Sequence, residues 1–279
     1  MKKFIDNKYL RVILLLVAGA AGAADPETVR FPSRDGRTEL VAYLFNPKTP
    51  GPHAAVVMLH GRAGSYSSAQ PGLMEAGNLT ARHRMWGEFW AERGYIALHV
   101  DSFGPRGYAR GFPRGTYNSR PGDINEQTVR PLDAYGALDW LRTRSDVIQD
   151  RIGVQGWSNG GMTTLAAVSG AFGKTDGFRA ALVQYPGCGI QERQGAYVPQ
   201  IPLLLLLAGD DDEVSPVICN RLALGVQARG GPLEVHTYPG AHHSYDDPGK
   251  GKQSHAPNAA ALMDTRLRAE AFFGKHLRP

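Results

Sequence analysis

Only two cysteines stand among 279 residues, too few for a disulfide-dense scaffold or a four-cysteine zinc module. No Gly-x-Gly-x-x-Gly and no Walker A pattern occurs, so the sequence offers no nucleotide site and no cofactor is expected. His242-His243 and Asp246-Asp247 match neither His-Glu-x-x-His nor a zinc ribbon, and no metal is expected either. There is no fixed-period repeat, which excludes solenoids and propellers, and no low-complexity linker between domains. Beyond residue 24 no apolar run approaches the length of a membrane span; five consecutive leucines from Leu203 are the strongest. Charge is modest at 20% of residues and +5 net. Four bases (Lys2, Lys3, Lys8, Arg11) and one acid (Asp6) fall within the first 23 residues, and the remainder is nearly neutral. A nucleic-acid partner gains no support from such a balance.

What is present begins with that head. Basic residues, an apolar run over 12–17 and small residues to Ala24 form the pattern of a secretory signal peptide, with Ala21-Gly22-Ala23 suited to cleavage. Residues 1–23 are therefore expected to be removed, leaving a periplasmic or secreted domain over 24–279 with no stable membrane insertion. Export permits a disulfide between Cys188 and Cys219. Two free buried thiols are the alternative, and the bridge is expected if the strands preceding the two cysteines are neighbours.

Apolar runs at 54–59, 95–100, 152–155, 180–185 and 203–208 read as strands buried on both faces. Weaker strands are expected at 29–32, 40–45 and 234–238. Helices are expected at 85–93, 125–143, 160–169, 216–228 and 257–276. Strands alternating with helices make an α/β chain with a mostly parallel sheet, whose ligand sites lie at the carboxyl ends of the strands. Two long irregular stretches, 61–84 and 101–122, follow strand ends, and loops of that length are expected to be either functional or disordered.

Gly156-Trp157-Ser158-Asn159-Gly160 follows one such strand and opens a helix. It matches G-x-S-x-G, in which a strained turn lifts a serine above the sheet and the flanking glycines avoid a clash. A serine needs a base, and the base needs an orienting acid. In this fold the order is serine, acid, histidine. Asp210-Asp211-Asp212 follows the leucine strand, and His242-His243 follows the last strand. Order and placement fit, but spacing alone leaves three aspartates and two histidines open.

His60-Gly61, Gly-Trp-Ser-Asn-Gly, Gly209-x-x-Asp212-x-x-x-Pro216 and Tyr238-Pro239-Gly240-Ala241-x-His243 together resemble the dienelactone hydrolase family, from about Ala54 to the C-terminus. The resemblance implies the α/β-hydrolase fold, a mostly parallel central sheet flanked by helices. It implies Ser158 as nucleophile, Asp212 as acid and His243 as base. The members that name the family use cysteine as nucleophile; the serine here points to general ester hydrolysis and a small-molecule ester as substrate. The same triad on a peptide bond, or a non-catalytic binding protein on the same fold, are the rival readings. The oxyanion donors expected of this fold are the backbone N–H groups of Arg62 and Asn159. His60 is read as a support for its loop. Arg106 and Trp157 are the expected substrate contacts, Arg106 because arginines and aromatics crowd 82–120. The alternative for any such arginine is a structural ion pair.

Overall fold

The eight expected runs pair into one sheet. A computed structural model describes residues 25–170 and 177–278; the segment read as an export signal lies outside them. The strands are β1 (Glu27–Pro32), β2 (Glu39–Phe45), β3 (His53–Leu59), β4 (Ile96–Asp101), β5 (Val147–Trp157), β6 (Ala180–Gln184), β7 (Leu203–Ala208) and β8 (Leu233–Tyr238), in the order β1-β2-β4-β3-β5-β6-β7-β8. β2 runs antiparallel to β1 and β4, and every other pairing is parallel. The fold is therefore the expected α/β one.

Among the described residues seven α-helices connect or follow them: α1 (Ala81–Glu92), α2 (Arg130–Arg142), α3 (Asn159–Ala167), α4 (Gly189–Arg193), α5 (Pro216–Ala228), α6 (Lys250–Gln253) and α7 (Ala256–Leu277). α1 starts four residues before the expected position, because the Thr80 hydroxyl accepts the His83 N–H and caps it. α2 starts five residues late. Pro131 fits a first turn but not a helix interior, and the Asn125 side chain instead turns the preceding chain by accepting from the N–H groups of Gln127 and Thr128. The short α4 and α6 are too brief to leave a periodic signal.

Strand side chains alternate between two cores. Ala55, Val57 and Leu59 of β3 pack with α2, α3 and α5, whereas Ala54, Val56 and Met58 pack with α1 and α7. From β3 the chain passes through α1 to β4 on one side, then through α2 to β5 on the other. The order thus reverses around β3, and reversal opens a crevice above the strand ends. Leu59 pairs with Gly156 in register, so the loops after β3 and β5 leave the sheet side by side.

β6 and β7 are parallel neighbours. Cys188, just before α4, and Cys219, in the first turn of α5, form a disulfide with their Cα atoms 5.1 Å apart. Closing 31 residues of chain restricts the unfolded ensemble by about 4 kcal/mol in the loop-entropy account. No helix among the described residues is long and apolar enough to cross a membrane.

Candidate active site

Ser158 ends the turn between β5 and α3 with φ 52° and ψ −114°, a conformation that strains any side-chain-bearing residue. The glycines two positions away are sterically required. A Cβ on Gly156 would lie 2.2 Å from the Gly160 carbonyl oxygen, and one on Gly160 would lie 1.9 Å from that of Leu59. The turn is braced by the Ser158 N–H, which donates to the Gln184 carbonyl of β6 at 2.9 Å.

The serine Oγ meets His243 Nε2 at 2.9 Å, and His243 Nδ1 meets the Asp211 carboxylate at 2.8 and 3.0 Å. The acid loop and the histidine loop are tied together by Gly209 N–H to Tyr238 O and Asp210 N–H to Ala241 O. With Asp211 accepting at Nδ1, that nitrogen carries the hydrogen and Nε2 is free to take the serine proton. An alcohol, an imidazole and a buried carboxylate in sequence form the arrangement that makes a hydroxyl nucleophilic.

The acid is the neighbour of the expected residue. Asp212 stands 56% exposed at the rim, paired with Arg114 at 3.1 Å. Asp211 Oδ1 accepts the N–H groups of Glu213 and Val214 at 2.8 and 2.9 Å. That Asx-type turn draws Asp211 inward and sends Asp212 outward. Both expected substrate contacts are also corrected. Arg106 is buried, donating to Asp133, Asp35 and the Ser102 carbonyl. It clamps the β1–β2 turn and α2 to the end of β4, the structural alternative for that arginine. Trp157 is fully buried, because strand alternation sends it to the α1/α7 face, where its indole N–H donates to Asp246 at 2.8 Å.

The structure brings Arg62 and Asn159 to the serine. A Cβ on Gly61 would sit 3.4 Å from Ser158 Cβ, so the loop after β3 passes directly over the nucleophile. Asn159 is the first residue of α3, where a backbone N–H has no intrahelical acceptor. Its side-chain oxygen accepts from Arg120 at 2.9 Å. Arg62 donates two bonds to Glu213, at 2.8 and 2.7 Å. His60 supports this loop: its Nε2 accepts the Ser102 N–H at 3.1 Å and its Nδ1 donates to Gly61 O at 2.8 Å.

The sequence profile of the dienelactone hydrolase family matches residues 40–277. The chain belongs to that family. A putative hydrolase of Bacillus subtilis, YtaP, is 28% identical over 142 residues, 46% of this chain and 43% of its own length. The chain thus aligns with less than half of that relative. Among solved structures, esterase 2 of Thermogutta terrifontis, phosphorylated by paraoxon, is 19% identical with TM-score 0.65, covering 91% of this chain and 96% of its own. A puromycin-hydrolysing peptidase of Mycobacterium tuberculosis is 22% identical with TM-score 0.66, covering 91% of this chain and 39% of its own. Both structures share the fold.

In this dienelactone hydrolase family member the histidine also rests on a buried acid that the sequence reading missed. Asp246 accepts from the indoles of Trp86 and Trp157 at 2.8 Å, from Gln184 at 3.1 Å and from the Tyr185 hydroxyl. The Tyr185 ring meets the His243 ring edge-on at 4.8 Å, so this hub fixes the floor under the imidazole. Tyr185 (φ 37°) and Ser244 (φ 60°) are, with Ser158, the non-glycine residues of positive φ among those described. All three touch or adjoin the relay, and strain concentrates there. The one available signal was Asp246 three positions after His243, which the sequence offered only as part of a pattern that fits no metal site.

A second buried layer holds three histidines, His60, His83 and His99, all without exposure. His83 and His99 stack at 4.1 Å. Burial holds all three below the ordinary imidazole range, His99 at about 3. The unfolded chain protonates them near pH 6.5, so their contribution is undiminished above that value and stability falls as pH drops toward the folded values. His99 alone accounts for about 4 kcal/mol by pH 3. Asp101, pushed up by burial, works in the opposite sense, one group against three. Thermal melts should show a steep loss of stability from pH 6.5 to 4.5, and His99→Gln should flatten it. A melting temperature constant over that range would refute the assignment.

Proposed function

We propose that the chain is a cofactor-independent carboxylic-ester hydrolase working through an acyl-enzyme. The observation that carries this reading is the unbroken Ser158–His243–Asp211 hydrogen-bond chain. Ser158 Oγ attacks the ester carbonyl carbon while His243 Nε2 takes its proton. Asp211 holds the imidazole tautomer and stabilises the imidazolium. The Arg62 and Asn159 N–H groups receive the oxyanion, where one such donor is typically worth on the order of 10²–10³ in rate. His243 then passes its proton to the leaving alkoxide oxygen. Water, deprotonated by the same nitrogen, attacks the acyl carbon and releases Ser158 with its proton restored.

Residues 1–23 and the disulfide support an exported enzyme. The likeness in fold to a peptidase motivates one rival, the same chemistry on an amide. A fluorophosphonate probe should label the protein stoichiometrically, with peptide mapping placing the adduct on Ser158. Turnover of a p-nitrophenyl ester should exceed that of a chromogenic peptide. No labelling, or an adduct elsewhere, would overturn the serine-hydrolase reading; preferred peptide turnover would replace esterase by peptidase.

A further inference from the structure

We infer that Glu213 is a positioning residue of the oxyanion hole, holding the Arg62 loop against Ser158 through a two-point grip on the Arg62 side chain. The inference rests on the hydrolase reading above and adds a residue that the triad does not require.

The two expected donors are held in different ways. Asn159 is the first residue of α3, and the helix itself fixes the direction of its N–H. Arg62 lies in a turn between β3 and α1, where the Gly61 carbonyl of the same peptide accepts from the Gly64 N–H at 3.2 Å and from His60 Nδ1 at 2.8 Å. Four hydrogen bonds made by the rest of Arg62 then hold that turn in place against its neighbours. Arg62 Nε and Nη2 both donate to Glu213, Arg62 Nη1 donates to Phe112 O at 3.2 Å, and Arg62 O accepts the Phe112 N–H at 2.8 Å. The planar fork on a carboxylate is the most direction-specific of these.

Glu213 is itself fixed by the acid. Its N–H donates to Asp211 Oδ1 at 2.8 Å. One turn therefore aims Asp211 at Nδ1 of the histidine and Glu213 at the loop above the serine. Glu213 Oε2 also lies 3.8 Å from His243 Nε2, the nitrogen that receives the serine proton during the reaction. The pair thus borders the reacting atoms, and side-chain exposures of 27% and 18% keep it off the open surface. Bonding to Arg62 holds the Glu213 carboxyl below its usual range, so it stays ionised across the working pH.

Misplacing a donor acts on the tetrahedral intermediate and leaves ground-state binding intact. Glu213→Gln replaces one acceptor by a donor facing a guanidinium, so the fork is lost while the volume is kept. Its kcat should fall about 10–100-fold, below the full loss of a donor. KM should stay within about twofold, and affinity for a trifluoromethyl ketone, which mimics the intermediate, should fall by the same factor as kcat/KM. Melting should shift by no more than about 4 °C, since the pair is partly exposed. Arg62→Met should behave alike, and the double variant should lose no more than the worse single one, because both break the same grip. Glu213→Asp, with the charge kept and the reach shortened, serves if the glutamine variant does not fold and should lose less.

Fluorophosphonate labelling of the parent enzyme separates the two claims. If Ser158 is not labelled, the hydrolase reading fails and this inference with it. If Ser158 is labelled but Glu213→Gln keeps kcat and ketone affinity within twofold, the positioning role alone is overturned. A rise in KM at unchanged kcat, or full additivity with Arg62→Met, overturns it as well.

Discussion

Ser158→Ala is expected to lower kcat about 10⁶-fold, the loss typical of a nucleophile removed from a relay that acts as a unit. The fold should survive. Ser158 Oγ makes a 2.9 Å bond to His243, and a single hydrogen bond is worth about 1 kcal/mol net, against the several kcal/mol by which domains are stable. Alanine inherits the strain of φ 52°, whereas glycine adopts positive φ freely. Ser158→Gly should therefore be equally inactive yet at least as stable as the alanine variant. Steady-state ester turnover and circular-dichroism melts on both variants check this. Turnover within tenfold of the parent, with a native spectrum, would remove Ser158 from the reaction.

The serine turn was legible because its constraint is local. Gly156 and Gly160 are dictated by contacts of about 2 Å with Gly160 O and Leu59 O, and such steric demands leave a fixed pentapeptide. The strands were legible because burial on both faces demands unbroken apolar runs, as in Leu203–Ala208. Other features depend on contacts between distant segments. Arg106 stood among aromatic and basic residues in the sequence, yet it is spoken for by Asp35 and Asp133, 71 and 27 positions away. Asp246 gathers donors from α1, β5 and the end of β6, and no spacing rule connects those three. Trp157 adjoins the serine in sequence but faces the opposite way, because alternation along β5 fixes its side before the turn begins.

The aspartate run belongs with these. Three consecutive acids differ only in where a turn points them, and the turn is set by which carboxylate accepts the N–H groups of Glu213 and Val214. The family spacing before Pro216 favoured Asp212; the backbone turn presents Asp211. The same turn delivers Glu213 to Arg62, so acid, histidine and oxyanion loop are coupled through one short segment.

Asp211→Asn should consequently be the damaging change in that run. Oδ1 of residue 211 accepts two backbone N–H groups, so an asparagine there must keep its oxygen on that side. Its NH₂ group then faces His243 Nδ1, which must accept. The hydrogen moves to Nε2, the nitrogen that has to receive the serine proton, and the wrong tautomer is locked in place. A loss in kcat of about 10⁴-fold is expected, as is typical when the orienting acid of such a relay becomes an amide. Asp212→Asn removes only a pair with Arg114 in which both side chains are more than half exposed. Such pairs contribute little, and activity should remain within about twofold of the parent. Nitrogen-15 NMR of the imidazole would report the tautomer directly, with the hydrogen on Nδ1 in the parent and on Nε2 in Asp211→Asn. Equal losses in both variants, or the larger loss in Asp212→Asn, would return the acid to the position that the family spacing favours.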